Sequence, residues 1–235
     1  MAGYLFLAGG AEFQGVMQQP DLRAIELAGG LNVPISVLPT AVAADQRYQT
    51  MGSRARLWFR ELGAKRVEVL PVTDKRSAND PWMANYISQS RLIYLTDGFV
   101  TYAHRTLQGS ACLEAMRDAY KKGAVLAGSG AGAMLLCQFY FAPAQRQIAA
   151  GWGFLPNTCV LPHHDLFGVG WVERLTRAIP EIVVLGIDQQ TAIVDDGEAG
   201  RRVDWSIYGQ GGVTLYRHNV PVRYNVGQRL IDSFK

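Results

Sequence analysis

The stretch Val125-Leu126-Ala127-Gly128-Ser129-Gly130-Ala131-Gly132-Ala133-Met134-Leu135-Leu136 constrains the fold more than any other. It opens as a buried strand, passes through a turn of small residues only, and continues as an apolar helix. Where a buried strand turns straight into a helix, backbone must pass close to backbone, and small residues leave room for that. Hydrolytic α/β enzymes use such a strand–turn–helix to present a nucleophile, in the pattern small-x-nucleophile-x-small. Midway between Gly128 and Gly132 stands Gly130, which has no side chain with which to attack.

The rest of the chain can supply the sheet that such a turn requires. Its 235 residues are 49% hydrophobic, enough to bury a full core, and one domain is expected over residues 1–235. Charged residues make up 18%, the formal net charge is +3, and no lysine or arginine run stands out, which argues against nucleic acid as a partner. The apolar start Tyr4–Ala8 is too short for a membrane span or a secretory leader and suits a first buried strand. A cytoplasmic protein with no membrane contact is therefore expected. Cys112, Cys137 and Cys159 are odd in number and lack metal-type spacing, so they read as reduced core thiols. No metal and no cofactor is implied.

Strand-like and helix-like segments alternate through the first half. Strands are expected at Tyr4–Ala8, Ile35–Pro39, Val67–Leu70 and Leu92–Thr96, with helices near 21–28, 45–62, 80–88 and 110–122. This alternation predicts a mostly parallel sheet with helices on both faces. Sites in such sheets form at the carboxyl ends of strands. Gly9-Gly10-Ala11-Glu12, Pro39-Thr40, Thr96-Asp97-Gly98-Phe99 and Ser129–Gly132 should then meet on one rim. Further on, Val160–Asp165 reads as a strand running into a polar loop and Val172–Ile179 as a helix. Ile182–Asp188 and Thr191–Val194 read as strands, and Val203–Tyr208 with Val213–Tyr216 as a C-terminal hairpin.

With these segments in place, the chain resembles the cyanophycinase and dipeptidase E family of serine peptidases, which shares the flavodoxin-like fold of class I glutamine amidotransferases. The resemblance runs over roughly residues 4 to 216. It is carried by Leu7-Ala8-Gly9-Gly10-Ala11-Glu12, Val37-Leu38-Pro39-Thr40-Ala41, Leu62-Gly63-Ala64 and the Ala127–Ala133 turn. Gly153-Phe154-Leu155-Pro156, Gly186-Ile187-Asp188 with Thr191-Ala192, and Gly211-Gly212-Val213-Thr214 complete it. It implies a three-layer α/β sandwich with a C-terminal hairpin. It also implies cleavage of small acidic or isoaspartyl peptides, or of the aspartate–arginine polymer cyanophycin, by a serine and a histidine base.

Carried over residue by residue, the resemblance places the nucleophile at Gly130, the base at His163 and the supporting acid at Gln189. The family's Gly-Gly-(Asp/Asn)-Gln turn falls on Asp97-Gly98-Phe99-Val100, and the arginine loop after the histidine falls on the uncharged Leu166–Gly170. Glycine cannot form an acyl-enzyme. Glutamine can hydrogen-bond an imidazole but cannot stabilise its charged form as a carboxylate does. The expectation is a peptidase homologue that has lost serine chemistry and binds a small ligand or partner.

Several readings stay open at this point. A one-residue slip would make Ser129 the nucleophile, with His163 as base; otherwise Ser129 points away or caps the following helix. Asp97 either replaces the missing acid beside His163 or makes an Asx turn with Gly98. Gly10, Glu12, Asp97, Gly98 and Ala131 are the candidate binding residues. The N–H groups of the turn suit a small peptide or another carboxylate-bearing ligand. His164 reads as a loop residue, Asp165 as a turn cap, and His104 and His218 as surface or loop residues. An apolar rim of Phe99, Val100, Phe167 and Trp171 offers a partner-docking alternative, and homodimerisation is compatible with the sequence.

Overall fold

The computed structural model describes residues 3–197 and 204–231. Eight strands form the central sheet: β1 (Tyr4–Ala8), β2 (Pro34–Leu38), β3 (Arg66–Val69), β4 (Leu92–Leu95), β5 (Val125–Ser129), β10 (Thr191–Asp195), β11 (Asp204–Gly209) and β14 (Arg229–Ile231). Their spatial order is β14-β11-β10-β1-β5-β4-β2-β3. From β1 to β3 the pairing is parallel, while β10, β11 and β14 extend the sheet antiparallel on the other side of β1. The inner parallel strands β1, β5, β4 and β2 are short and mostly apolar because both of their faces are covered, whereas the edge strand β3 carries Arg66 and Glu68.

Alternating side chains along each strand divide the core. Leu5, Leu7, Ile93, Leu95 and Leu126 face one layer, with helices α3 (Pro81–Gln89), α4 (Val100–Leu107), α5 (Ala111–Lys121) and α6 (Ala131–Leu136). Phe6, Ala8, Val37, Tyr94 and Ala127 face the other, with α1 (Gln18–Ala28) and α2 (Tyr48–Glu61). Three layers result, as the sequence pattern predicts. Asp80 caps α3 by accepting from the N–H groups of Trp82 and Met83, with Pro81 in the first turn, and Ser110 caps α5.

A second sheet packs beside the first and contains β8 (Thr158–Leu161), β9 (Val183–Ile187), β12 (Gly212–Arg217) and β13 (Val220–Asn225). Its order is β13-β12-β9-β8. Helix α7 (Val169–Ala178) covers it through Val172 and Leu175, and β6 (Phe139–Ala142) pairs with β7 (Gln147–Ala150) in a hairpin of their own.

The structure corrects two sequence expectations and adds a helix that the sequence pattern did not show. The segments around Tyr208 and Val213 do not pair with each other: β11 joins the large sheet and β12 the small one. The chain crosses between sheets at Gly209 (φ 111°), and the C-terminal hairpin is β12 with β13. Val203, the expected start of that segment, lies outside the described residues. The helix expected over 45–62 begins only at Tyr48, because a 3-10 turn over Thr40–Asp45 ends at Gln46 with φ 62°. Helix α4 escaped the sequence pattern because it is short and its N-cap, Phe99, offers no capping side chain.

Candidate active site

Carboxyl ends of β1, β4 and β5 converge as the parallel topology requires. The Gly130 N–H donates to the carbonyl of Ala8 (3.0 Å), that of Asp97 to Glu12 Oε1 (3.0 Å), and that of Phe99 to the carbonyl of Ala41 (2.8 Å). His163 arrives from the loop after β8, and its N–H donates to the carbonyl of Gly9 (2.8 Å). Glycine is required at position 10, because a β-carbon there would overlap the His163 ring.

At the apex between β5 and α6, Gly130 has φ 49° and ψ −111°, a backbone conformation that residues with side chains rarely adopt. A β-carbon on Gly130 would fall onto the carboxylate of Asp97. Oδ1 of that carboxylate accepts from the N–H groups of Ala131 (2.8 Å) and Gly98 (2.7 Å). Its Oδ2 lies 2.8 Å from His163 Nε2. On the far side of the imidazole, Gln189 Nε2 sits 2.9 Å from Nδ1. Both ring nitrogens are therefore engaged. The carboxylate occupies the Nε2 side of the histidine and the amide the Nδ1 side.

Glu12 braces this arrangement from below. Buried at 5% exposure, it accepts from the Asp97 N–H through Oε1 and from the Ser129 hydroxyl through Oε2 (2.8 Å). Phe13 holds the loop carrying Glu12 by inserting among Phe59 and Tyr94, with ring centroids 5.8 and 5.0 Å away. Burial and the neighbouring Asp97 charge push the Glu12 carboxyl above its ordinary range. For Asp97 burial pushes the same way, but the hydrogen bond and charge of His163 and the two N–H donors outweigh it and hold the carboxyl low. His163 is raised by its hydrogen bond to Asp97, against the opposing effect of burial.

Gly10, Glu12, Asp97, Gly98, Gly130, Ala131, His163 and Gln189 come together. Ser129 is fully buried and turned toward Glu12, away from His163. Asp97 makes the turn contact with Gly98 and the contact with His163 at once, so the two readings of that residue are compatible. Asp165 accepts from the Gln189 N–H (2.9 Å), holding the strand end that carries the glutamine. His164 is no loop residue in its packing: it is buried, bonded to the Tyr216 hydroxyl (2.8 Å) and set over Gly186. His104 lies on α4 against the Tyr140 ring, half-buried, while His218 is exposed in the β12–β13 turn. Burial pushes Cys159 up to about 12 and Cys112 up to about 11, and it raises Cys137 as well, so none of the three is a ready thiolate.

Above the Asp97–His163 pair opens a cleft of about 690 Å³. Phe99, Tyr102, Met134, Phe167 and Trp171 give it apolar walls. Phe167 leans on the His163 ring (5.4 Å) and on Trp171 (6.0 Å), which stacks on Phe141 (4.7 Å). Of the charged groups in the lining, Asp45 pairs with Arg47 and the Arg105 guanidinium lies over the Tyr102 ring. Among the described residues, no group of three or more His, Cys, Asp or Glu could hold a metal ion, and no helix is long and apolar enough to cross a membrane.

The model of peptidase family S51 matches residues 5–203. The chain belongs to peptidase family S51. Similar proteins include the cyanophycinase of Synechococcus elongatus, 26% identical over 224 residues that cover 91% of this chain and 67% of that one. The cyanophycinase of Geminocystis herdmanii (strain PCC 6308) is 27% identical, with 90% and 79% covered. A crystal structure of a peptidase from an acI-B1 Actinobacterium superposes with a TM-score of 0.85 at 24% identity, covering 98% of this chain and 97% of that one. A putative peptidase E protein from Listeria monocytogenes EGD-e has the same fold at a TM-score of 0.59 and 16% identity, with 92% and 99% covered. The fold of this S51 chain is thus the peptidase E-like α/β architecture, with a large mostly parallel sheet between helices.

Proposed function

We propose that this S51 chain has given up covalent serine catalysis and keeps its cleft as a binding site for a small, mostly apolar molecule seated over Asp97 and His163. One observation carries the reading. The Asp97 carboxylate fills the space a serine side chain on Gly130 would need, and it takes the Ala131 N–H that would stabilise an oxyanion there. The Ser129 alternative has little support, because that hydroxyl is fully buried and committed to Glu12.

A carboxylate-bearing peptide, the ligand that the family resemblance implies, would have to displace Asp97 from the N–H groups of Ala131 and Gly98. The walls favour something else. Their aromatic and aliphatic surface gains by excluding water from an apolar ligand, and the polar groups of the floor are already satisfied by one another.

The test has two arms. Purified protein should resist a serine-directed fluorophosphonate and leave isoaspartyl dipeptides and cyanophycin uncut. It should bind an uncharged fluorescent probe such as N-phenyl-1-naphthylamine, and Phe167→Asp should abolish that binding. Fluorophosphonate labelling, or peptide hydrolysis lost in Ser129→Ala, would overturn the reading.

A further inference from the structure

Resting on that reading of the cleft, we infer that Asp97 is itself a nucleophile, and that the site hydrolyses a small apolar epoxide through an aspartyl-ester intermediate. Carboxylates serve as covalent nucleophiles where one oxygen is held and the other is free to attack. Here Oδ1 is held by two backbone N–H groups, Ala131 at 2.8 Å and Gly98 at 2.7 Å. Oδ2 is bonded to His163 Nε2 (2.8 Å) and is freed for attack when that N–H turns to the epoxide oxygen, and the Asp97 side chain keeps 25% of its surface open at the cleft floor.

The same hydrogen bonds select the electrophile. Attack on an acyl carbon generates an oxyanion that needs N–H donors, and the attacking group already occupies them. Attack on a tetrahedral carbon needs no such donors at the first step. An epoxide then needs only a proton for its departing oxygen, and His163 stands beside Oδ2 to give one. The apolar walls of Phe99, Met134, Phe167 and Trp171 suit a hydrocarbon substituent.

Atoms balance over two steps. In the first, the Oδ2–carbon bond forms and the epoxide carbon–oxygen bond breaks. Its electron pair goes to the epoxide oxygen, which takes the Nε2 proton of His163. In the second, water attacks Cγ of the ester and gives a proton back to Nε2. The electron pair of the carbonyl moves onto Oδ1, where the Ala131 and Gly98 N–H groups stabilise it. Collapse expels the alkoxide, which takes the remaining proton of the added water. The net change is epoxide plus water to diol, with one water oxygen left in the Asp97 carboxylate.

Gln189 suits a histidine whose Nε2 gives up a proton in the first step and regains it in the second. Nδ1 keeps its hydrogen in both the imidazolium and the neutral form, and the Gln189 amide, 2.9 Å away, can accept from it through its oxygen in either state. A carboxylate at that position would favour the imidazolium and hold back the proton that the epoxide oxygen needs.

The test is a single turnover of wild-type protein, in excess over styrene oxide, in oxygen-18 water. The label should appear in the peptide that contains Asp97, and the diol should be unlabelled. His163→Gln, which loses the proton donor of the first step and the base of the second, should slow adduct formation and release no diol, while Asp97→Asn should form neither adduct nor diol. Label in the diol at the first turnover, or no diol and no adduct from styrene oxide and two further aryl epoxides, overturns the proposal. Because the wild-type measurement needs no variant, misfolding of a mutant does not obscure it. Labelling by fluorophosphonate would instead overturn the reading of the cleft on which the proposal rests, so the two failures are distinguishable.

Discussion

The carboxylate of Asp97 stands where the β-carbon of any other residue at position 130 would have to be. The two positions are therefore coupled. Gly130→Ser alone should displace Asp97 from its N–H donors and destabilise the fold by roughly 1–3 kcal/mol, with little fluorophosphonate labelling. Adding Asp97→Gly should free the Ala131 N–H and the Nε2 of His163, recover most of that loss, and give a serine that labels. Thermal denaturation and gel-based labelling of the three proteins check this, and equal labelling of the single and double variants would refute the coupling.

The Asp97–His163 pair also sets a pH window. His163 is raised by Asp97, so its contribution to stability is complete below the ordinary histidine pKa of about 6.5 and fades as pH rises through the folded value. Asp97 is lowered, so its contribution is complete above about 3.9 and fades as pH falls through its folded value. The stability difference between wild type and Asp97→Asn should accordingly be greatest between about pH 4 and 6.5. Melting temperatures of both proteins across the pH range test this, and a flat difference would refute it.

How far the sequence could be read depended on whether a position is defined by its own chain segment or by its neighbours. The strand–turn–helix around Gly130 was legible because small residues in a row have few other uses. The two core faces followed from alternation in strands such as Leu5, Phe6 and Leu7, and the meeting of Gly130, His163 and Gln189 from the order of the motifs. Asp97 was legible in part. Its contacts with Gly98 and with His163 were both among the sequence readings, whereas an Asp-Gly pair after a strand gives no sign that the carboxylate also crosses to the Ala131 N–H and fills the space above Gly130. The separation of β11 and β12 was hidden for a related reason. Two β-rich segments around glycines look like a hairpin unless their partners, β10 and β9, are already known.

Asp21 gives a prediction remote from the cleft. Wholly buried on α1, its carboxyl is pushed up to about 8, chiefly by burial, with the Trp58 indole N–H (2.7 Å) pulling the other way and Glu12 adding to the rise. A carboxyl raised in the folded state holds a proton that the unfolded chain has released, so it costs stability progressively from about pH 4 up to about 8. Asp21→Asn keeps an acceptor for Trp58 and cannot ionise. Relative to wild type it should gain stability as pH rises, by up to about 1.4 kcal/mol per pH unit. Urea unfolding at pH 5 and pH 8 measures the gain, and an unchanged difference between the two would contradict a protonated Asp21.

Ser129 separates a structural from a chemical role at the turn. Its hydroxyl donates to Glu12 Oε2 inside the core, and Glu12 in turn accepts the Asp97 N–H, so the serine supports the floor of the cleft through one intermediary. Ser129→Ala leaves one oxygen of a buried carboxylate without that donor and should cost about 1–3 kcal/mol. It should also raise the Glu12 carboxyl further, since a hydrogen bond that favours the charged form is lost. The loss should therefore grow with pH as Glu12 ionises, and binding of an apolar probe should survive at temperatures where the variant is folded. Unfolding curves at several pH values, with probe titration alongside, decide the matter. A variant as stable as wild type at every pH would show that Glu12 does not depend on Ser129 for its place beneath Asp97.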